Sequence, residues 1–106
     1  MGIQWMLADM ATQVEAARAL VYATARMVDA GIKDVGKESA MAKMYASDVA
    51  MKVAVDALQI FGGYGYMREY PIEKYVRDAK ITQIYEGTNQ IQRSIIALEI
   101  IKELAK

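Results

Sequence analysis

The 106-residue sequence contains neither cysteine nor histidine, and it contains a single proline. Without cysteine there are no disulfides and no thiolate nucleophiles, and without either residue most zinc and haem sites are excluded. The same absence excludes a Ser-His-Asp triad and the histidine ligands of a di-iron helical bundle. Any acid–base chemistry therefore falls to Asp, Glu, Lys or Tyr side chains.

The charged side chains are balanced, with thirteen Lys and Arg against thirteen Asp and Glu. Because nucleic acids and anionic membranes attract clustered positive charge, the sequence predicts neither as a partner. No apolar run approaches the roughly 20 residues of a membrane span, and Asp9 and Glu15 interrupt the first apolar stretch, unlike a signal peptide. We expect a soluble protein of the bacterial or archaeal cytoplasm or the mitochondrial matrix.

Helical periodicity dominates the chain, whereas strand signals are almost absent. A first long helix is predicted to end at Gly31 and to be amphipathic, with an apolar stripe on one face formed by Ile3, Leu7, Met10, Val14, Ala17, Val21 and Val28. A second helix, from residue 37 or 38 to Phe61, has apolar residues on two faces and should lie between neighbours. A short helix begins near Pro71, and Thr88 caps a last helix. Its predicted inward residues are Ile91, Ile95, Leu98, Ile101 and Leu104 or Ala105. The sequence predicts an all-α fold, an antiparallel bundle of three long helices and one short helix.

Two segments interrupt this periodicity. Gly62-Gly63-Tyr64-Gly65-Tyr66 follows the second helix, where three glycines fit either a tight turn or the close approach of a large ligand to the backbone. Tyr85-Glu86-Gly87 lies at a predicted kink between two apolar helices. Glu86 is either a solvated glutamate near a helix N-terminus or a carboxylate that loses hydration and so becomes a better general base.

Four ordered motifs resemble the carboxy-terminal domain of the acyl-CoA dehydrogenases. They are Met-Leu-Ala-Asp-Met-Ala at 6–11, Gln-Ile-Phe-Gly-Gly-Tyr-Gly at 59–65, Arg-Asp-Ala-Lys-Ile at 77–81 and Ile-Tyr-Glu-Gly-Thr-Asn-Gln-Ile-Gln-Arg at 84–93. The likeness covers essentially the whole chain from Ile3. It is greatest to the short- and medium-chain, butyryl-CoA dehydrogenase-like group, in which the base lies at the position of Glu86.

The resemblance implies an FAD-dependent enzyme that converts an acyl-CoA to the trans-2-enoyl-CoA. Glu86 resembles the base that removes the α-proton while a hydride leaves the β-carbon for the flavin. Its own backbone N–H and a ribityl hydroxyl of the flavin would polarise the thioester carbonyl. Tyr85 and Gly87 resemble substrate contacts. The residues that resemble cofactor contacts are Gln59, Ile60, Phe61, Gly62, Gly63, Thr88, Asn89 and Gln90.

The resemblance also implies partners. The stretch from Gln59 to Gly63 resembles one that contacts the FAD of a neighbouring subunit, so a homo-oligomer is expected. An electron-transfer flavoprotein is the expected electron acceptor. Arg77 and Asp78 are interpreted as an ion pair that ties the short helix to the bundle.

A full member of that family has an amino-terminal helical domain, a middle β-domain and one more bundle helix before Ile3. We therefore expect residues 1–106 to be a truncated carboxy-terminal domain with an uncovered apolar groove, which self-association or domain swapping would fill. The isolated chain is expected to bind flavin poorly and to be inactive. The alternatives are a helical oligomerisation module without catalytic activity and an unrelated structural bundle.

Overall fold

All 106 residues are described by a computed structural model, in which helices and short turns account for the whole chain. The elements are α1 (Gly2–Asp29), α2 (Gly36–Phe61), a 3₁₀ turn (Gly62–Tyr66), α3 (Ile72–Thr82) and α4 (Asn89–Leu104). The predicted all-α fold of three long helices and one short helix is confirmed. No helix has both the length and the apolar character that crossing a lipid bilayer requires.

The helix α2 is central, and every other helix packs against it. The helices α1, α3 and α4 all contact α2, whereas α1 contacts neither α3 nor α4. Lys37, near the start of α2, forms a 2.6 Å ion pair with Glu103 near the end of α4. Asn89, at the start of α4, bonds Asp48 near the middle of α2, so the two helices are antiparallel. The predicted position of α2 between neighbours is confirmed.

The helices α3 and α4 follow one another along α2. The ring of Phe61, at the end of α2, packs 5.8 Å from that of Tyr70, just before α3. Gln83, just after α3, donates a 2.9 Å hydrogen bond to Asp48. The helix α3 therefore covers the second half of α2, and α4 covers the first half. This arrangement puts the turn that contains Glu86 beside the middle of the central helix.

The helix ends agree with the signals in the sequence. Gly31 has a φ of 78°, the left-handed conformation that ends α1. The Thr88 hydroxyl accepts a 3.2 Å hydrogen bond from the Ile91 N–H, so the predicted N-cap of α4 is confirmed. The starts of α2 and α3 lie within one or two residues of prediction, and Pro71 directly precedes α3.

The inward face of α4 is not the one predicted. Asn89 and Gln92 are buried. The predicted inward residues are exposed, and together they form the apolar stripe of α4: Ile91, Ile95, Leu98, Ile101 and Leu104. The reason is that hydrogen bonds between α4 and polar groups of α2 set the rotation of α4 about its axis. That rotation turns the apolar stripe away from α2.

On α1 the predicted stripe is only partly inside. Ala17 is buried and Met10 is half-buried. The other members of the stripe are exposed, namely Ile3, Leu7, Val14, Val21 and Val28. Because α2 is the only helix against which α1 packs, one flank of its broad apolar face has no cover.

The predicted role of Arg77 and Asp78 is wrong. Arg77 bonds Glu73 at 2.9 Å, and Asp78 pairs with Lys74 at 3.3 Å. Both pairs join residues four apart on the exposed surface of α3, a spacing that favours partners on the same helix. They do not join α3 to the bundle, whose contact with this helix is made through buried Ile72 and Ala79.

The core is small for a chain in which 55% of residues are hydrophobic. No large side chain is fully buried, and the buried hydrophobic residues are Ala17, Ala40, Ala42, Val49, Ala54, Ile72 and Ala79. Alanines let helices approach closely but remove little apolar area from water. Much of the apolar surface therefore lies outside, where large exposed patches mark interaction sites.

We expect the chain to self-associate through the apolar stripe of α4. Sedimentation velocity at micromolar concentration should give a mass above that of one chain. The double change Leu98→Glu with Ile101→Glu should shift the mass to that of a monomer while helix content is retained, because two buried charges oppose association. Lys33→Glu, which changes the net charge equally in the exposed α1–α2 turn, should leave association unchanged. A monomeric wild-type chain would refute the expectation.

Candidate active site

The turn at Glu86 and Gly87 has an unusual backbone conformation. Glu86 has a φ of 55° and Gly87 one of 85°, and Glu86 is the one non-glycine residue of the chain with a positive φ. An L-residue in this region costs about 1–2 kcal/mol. Strain of this kind persists where surrounding contacts hold it, and it often occurs at functional sites.

Side chains from α2 and α4 hold this turn by its carbonyl groups. The Gln92 side-chain amide donates to the Glu86 carbonyl at 3.0 Å, and Lys43 Nζ donates to the Gly87 carbonyl at 2.8 Å. A Cβ atom at Gly87 would lie 2.8 Å from Gln92 Nε2. Glycine at position 87 is thus favoured by φ, and a Cβ there would displace the Gln92 amide from its bond to the Glu86 carbonyl.

The backbone N–H groups of the same turn are free. Those of Glu86, Gly87 and Thr88 donate no hydrogen bond within the chain. Glu86 and Gly87 are also exposed. These N–H groups are available to an acceptor oxygen outside the chain, as oxyanion stabilisation requires.

Glu86 borders an open cleft of about 310 Å³. The other residues that line the cleft are Lys43, Ala46, Ser47, Ala50, Thr82 and Tyr85. Glu86 itself is exposed, so of the two alternatives offered by the sequence the solvated glutamate describes this residue within the chain's own four helices. The reason is that α1 does not reach α3 or α4 and leaves this side of α2 open.

The cleft continues into an apolar groove between α1 and α2. Ala46 and Ala50 form part of both. The groove, of about 320 Å³, is otherwise lined by Val14, Ala17, Arg18, Val21, Tyr22 and Val49. An apolar floor of small side chains thus extends from Glu86 to α1.

Asn89 is buried in the contact between α4 and α2, with 3% of its surface exposed. Its Oδ1 accepts from Lys43 Nζ at 2.6 Å. Its Nδ2 donates to Ser47 Oγ and to Asp48 Oδ1, both at 2.7 Å. The side-chain amide of Asn89 is therefore occupied within the chain, although the residue also borders the polar recess beside Thr88 and Gln90. Its contact with a cofactor stays a prediction.

Asp48 connects three elements. Its carboxylate accepts hydrogen bonds from Asn89 and Arg93 on α4 at 2.7 Å each, and from Gln83 after α3 at 2.9 Å. Partial burial raises the pKa of the Asp48 carboxyl, but the hydrogen bonds from Asn89, Gln83 and Arg93 outweigh burial, and the net pKa is lowered. The ionised form of Asp48 is therefore favoured in the folded chain.

The predicted cofactor residues Thr88 and Gln90 lie beside a polar recess of about 190 Å³. Gln90 is exposed, and the Thr88 hydroxyl, which accepts from Ile91, keeps its own proton to donate. These groups and the free N–H of Thr88 can hold polar atoms of a bound molecule.

The other predicted cofactor segment, Gln59 to Gly63, lies at the far end of α2. At 1.5 Å per residue, Phe61 lies about 20 Å along the helix from Asp48, so the two segments form separate surfaces. Packing within the chain accounts for glycine at position 65, because a Cβ there would lie 2.9 Å from Leu58. Gly63 has neither a positive φ nor a neighbour within 4 Å of a Cβ, which leaves room for an outside molecule.

The sequence interpretation missed Lys43, Asp48 and Gln92. Lys43 and Asp48, together with Ser47, form a polar strip on a helix that was predicted to lie between neighbours. Buried polar groups need hydrogen-bond partners, so such a strip indicates a network with an adjacent element. Gln92 lies within the motif at residues 84–93, but no role was predicted for it.

Comparison with known proteins identifies relatives along nearly the whole chain. The family model described as "Acyl-CoA dehydrogenase, C-terminal domain" matches residues 1–101. An acyl-CoA dehydrogenase of Bacillus subtilis is 62% identical over 96 residues, which are 91% of this chain and 25% of that protein.

Solved structures agree. Butyryl-CoA dehydrogenase from Megasphaera elsdenii superposes with a TM-score of 0.90 at 51% identity, over 94% of this chain and 26% of that one. A chain from the structure of the electron transferring flavoprotein of Acidaminococcus fermentans superposes with a TM-score of 0.90 at 56% identity, over 93% of this chain and 26% of that one. The chain thus spans about a quarter of the length of these relatives.

We expect Gly87→Ala to destabilise the chain by about 1–3 kcal/mol, because alanine is strained at positive φ and its Cβ displaces the Gln92 amide. Gly63→Ala, which meets no neighbour, should change the free energy of unfolding by less than about 0.5 kcal/mol. Urea unfolding followed by circular dichroism measures both. Equal effects of the two changes would contradict the role given to Gly87.

We expect Asp48→Asn to destabilise the chain by about 1–3 kcal/mol at neutral pH, since three hydrogen bonds to a charged group are weakened. Because the folded pKa of Asp48 is lowered, its contribution is complete above the unfolded pKa of about 3.9 and is lost as pH falls through the folded pKa. The difference between wild type and variant should therefore shrink in acid. Asp29→Asn, at an exposed position, is the control. A difference that does not change with pH would be the contrary result.

Proposed function

The chain belongs to the acyl-CoA dehydrogenase family, and on this basis we propose that it forms part of an enzyme that oxidises an acyl-CoA thioester to the trans-2-enoyl-CoA. The observation that carries the proposal is the position of Glu86. This residue borders a cleft and lies on a strained turn that has free backbone N–H groups.

In this proposal Glu86 is the base. Its carboxylate takes the proton from the α-carbon, and the electron pair of that C–H bond forms the new double bond as a hydride leaves the β-carbon. The free N–H of Glu86 donates to the thioester carbonyl oxygen and stabilises the negative charge that develops there. The same residue therefore makes the α-proton more acidic and removes it.

The cofactor of the family is FAD, which when bound supplies the acceptor for the hydride. The polar recess fits such a group, because Thr88 and Gln90 present a hydroxyl, an amide and a free N–H beside the Glu86 turn. The stretch from Gln59 to Gly63, about 20 Å away along α2, has Gln59, Phe61 and Gly63 exposed and is proposed to contact the FAD of a neighbouring subunit. Open space at Gly63 supports this assignment.

The apolar floor supports the choice of substrate. Ala46 and Ala50 continue the cleft at Glu86 into an apolar groove, where small side chains leave room for a hydrocarbon chain. Tyr85 lines the cleft and Gly87 adjoins it, and both are proposed to contact the thioester end of the substrate.

Other parts of the protein or other copies are proposed to cover Glu86. Removal of water strengthens a carboxylate base and the hydrogen bond to the carbonyl oxygen. The exposed apolar stripe of α4 and the uncovered flank of α1 support assembly into a homo-oligomer. An electron-transfer flavoprotein is the proposed acceptor of the electrons.

A second candidate function, a helical oligomerisation module, is supported by the same exposed apolar residues. In that case the chain would supply subunit contacts alone. The two functions differ in their need for Glu86, which lies off the apolar stripe of α4.

In the full-length protein that carries this chain, we expect Glu86→Gln to abolish dehydrogenation while FAD stays bound. Glutamine keeps the shape and the backbone N–H but cannot take a proton, and loss of a general base lowers kcat by about 10²–10⁴-fold. Turnover is measured with acyl-CoA and a dye acceptor, and bound FAD by its visible absorbance. Glu69→Gln, at an exposed position before α3, is the matched control. Retention of more than about a hundredth of the wild-type kcat would reject Glu86 as the base.

A further inference from the structure

We propose that Lys43 is a positioning residue for Glu86, acting through the Gly87 carbonyl as part of a chain of hydrogen bonds that runs through buried Asn89 to Asp48. The inference rests on the proposed role of Glu86 as the base. It assigns a function to a side chain of α2 that lies 43 positions before the catalytic turn.

The first observation is the environment of the Lys43 ammonium group. It has no carboxylate within ion-pair distance. Its hydrogen bonds go instead to two neutral oxygens, the Gly87 carbonyl at 2.8 Å and Asn89 Oδ1 at 2.6 Å. Lys52, on the same helix, differs in its partner, because it forms a surface ion pair with the Asp56 carboxylate at 2.8 Å.

The second observation is that the Asn89 amide joins Lys43 to Asp48. The Asn89 oxygen accepts from the cation, and its nitrogen donates to the Asp48 carboxylate. Each end polarises the amide in the direction that strengthens the other bond. Because Asn89 is 3% exposed, water competes little for its amide. The bond to Asn89 therefore anchors the Lys43 ammonium group, which also reaches the exposed Gly87 carbonyl.

The third observation is where this contact acts. The Gly87 carbonyl belongs to the second of two successive residues with positive φ, Glu86 and Gly87. Gln92 holds the Glu86 carbonyl from α4, while Lys43 holds the Gly87 carbonyl from α2. Without Lys43, the turn keeps its bond to α4, and Asn89 still bonds Ser47 and Asp48 of α2, but the one direct hydrogen bond from α2 to the turn is lost. The Glu86 carboxylate and its N–H can then shift relative to the cleft. A displacement of about 1 Å can lower a rate about 100-fold.

The test compares Lys43→Met, Lys43→Arg and Lys52→Met in the full-length FAD-containing protein. Methionine keeps the length and removes the cation, whereas arginine keeps a cation that can reach both oxygens. We expect Lys43→Met to lower kcat per bound FAD about 10- to 100-fold with KM changed less than about threefold. Lys43→Arg should recover part of this loss, and Lys52→Met should match wild type.

A second readout does not depend on turnover. In two-dimensional ¹H–¹⁵N NMR spectra of the chain, Lys43→Met should shift the amide signals of Glu86, Gly87 and Thr88, and Lys52→Met should leave them in place. The inference is overturned if Lys43→Met has the kcat of Lys52→Met, if its lost activity only follows lost FAD, or if the three amide signals do not move. Full activity of Glu86→Gln would instead refute the proposed function, which separates the two failures.

Discussion

The contact between α4 and α2 through buried Asn89 is the interaction on which the site depends. Asn89 bonds groups on successive turns of α2, from Lys43 to Asp48, so it sets both the rotation of α4 and its position along α2. A buried amide tolerates few alternative arrangements, because each lost hydrogen bond leaves a desolvated polar group at a cost of about 1–3 kcal/mol. The Glu86 turn immediately precedes Asn89, so the contact of Asn89 with α2 also fixes the position of the turn.

This polar contact explains why so much apolar surface faces outward. A helix has a limited inward face, and on α4 Asn89 and Gln92 occupy it. The isoleucines and leucines of α4 are left for neighbours outside the chain, as is one flank of α1. The same openness leaves Glu86 exposed at its cleft. Desolvation of the carboxylate is not achieved by these four helices, so the proposed chemistry requires further protein to cover the site.

Sequence periodicity was a good guide to helices and a poor guide to their inward faces. It located all four helices, and the caps at Gly31 and Thr88 were correct because each depends on a few neighbouring residues. The inward stripe predicted for α4 was wrong, since an apolar pattern does not tell which face of a helix its neighbour within the chain covers. The role predicted for Arg77 and Asp78 was also wrong. Each side chain pairs with a residue four positions earlier on the same helix, Glu73 and Lys74, and not with the rest of the bundle.

The sequence by itself determined the all-helical class, the family and the candidate base, because helical periodicity and the Tyr-Glu-Gly-Thr run are local properties of the chain. Only the tertiary structure decided that Lys43 and Asp48 lie beside Glu86, that Asn89 faces α2 and that the carboxylate of Glu86 is exposed. These facts depend on which residues meet across helices more than 40 positions apart. Hydrogen bonds at that separation are set by how helices pack, and no spacing within one helix encodes them.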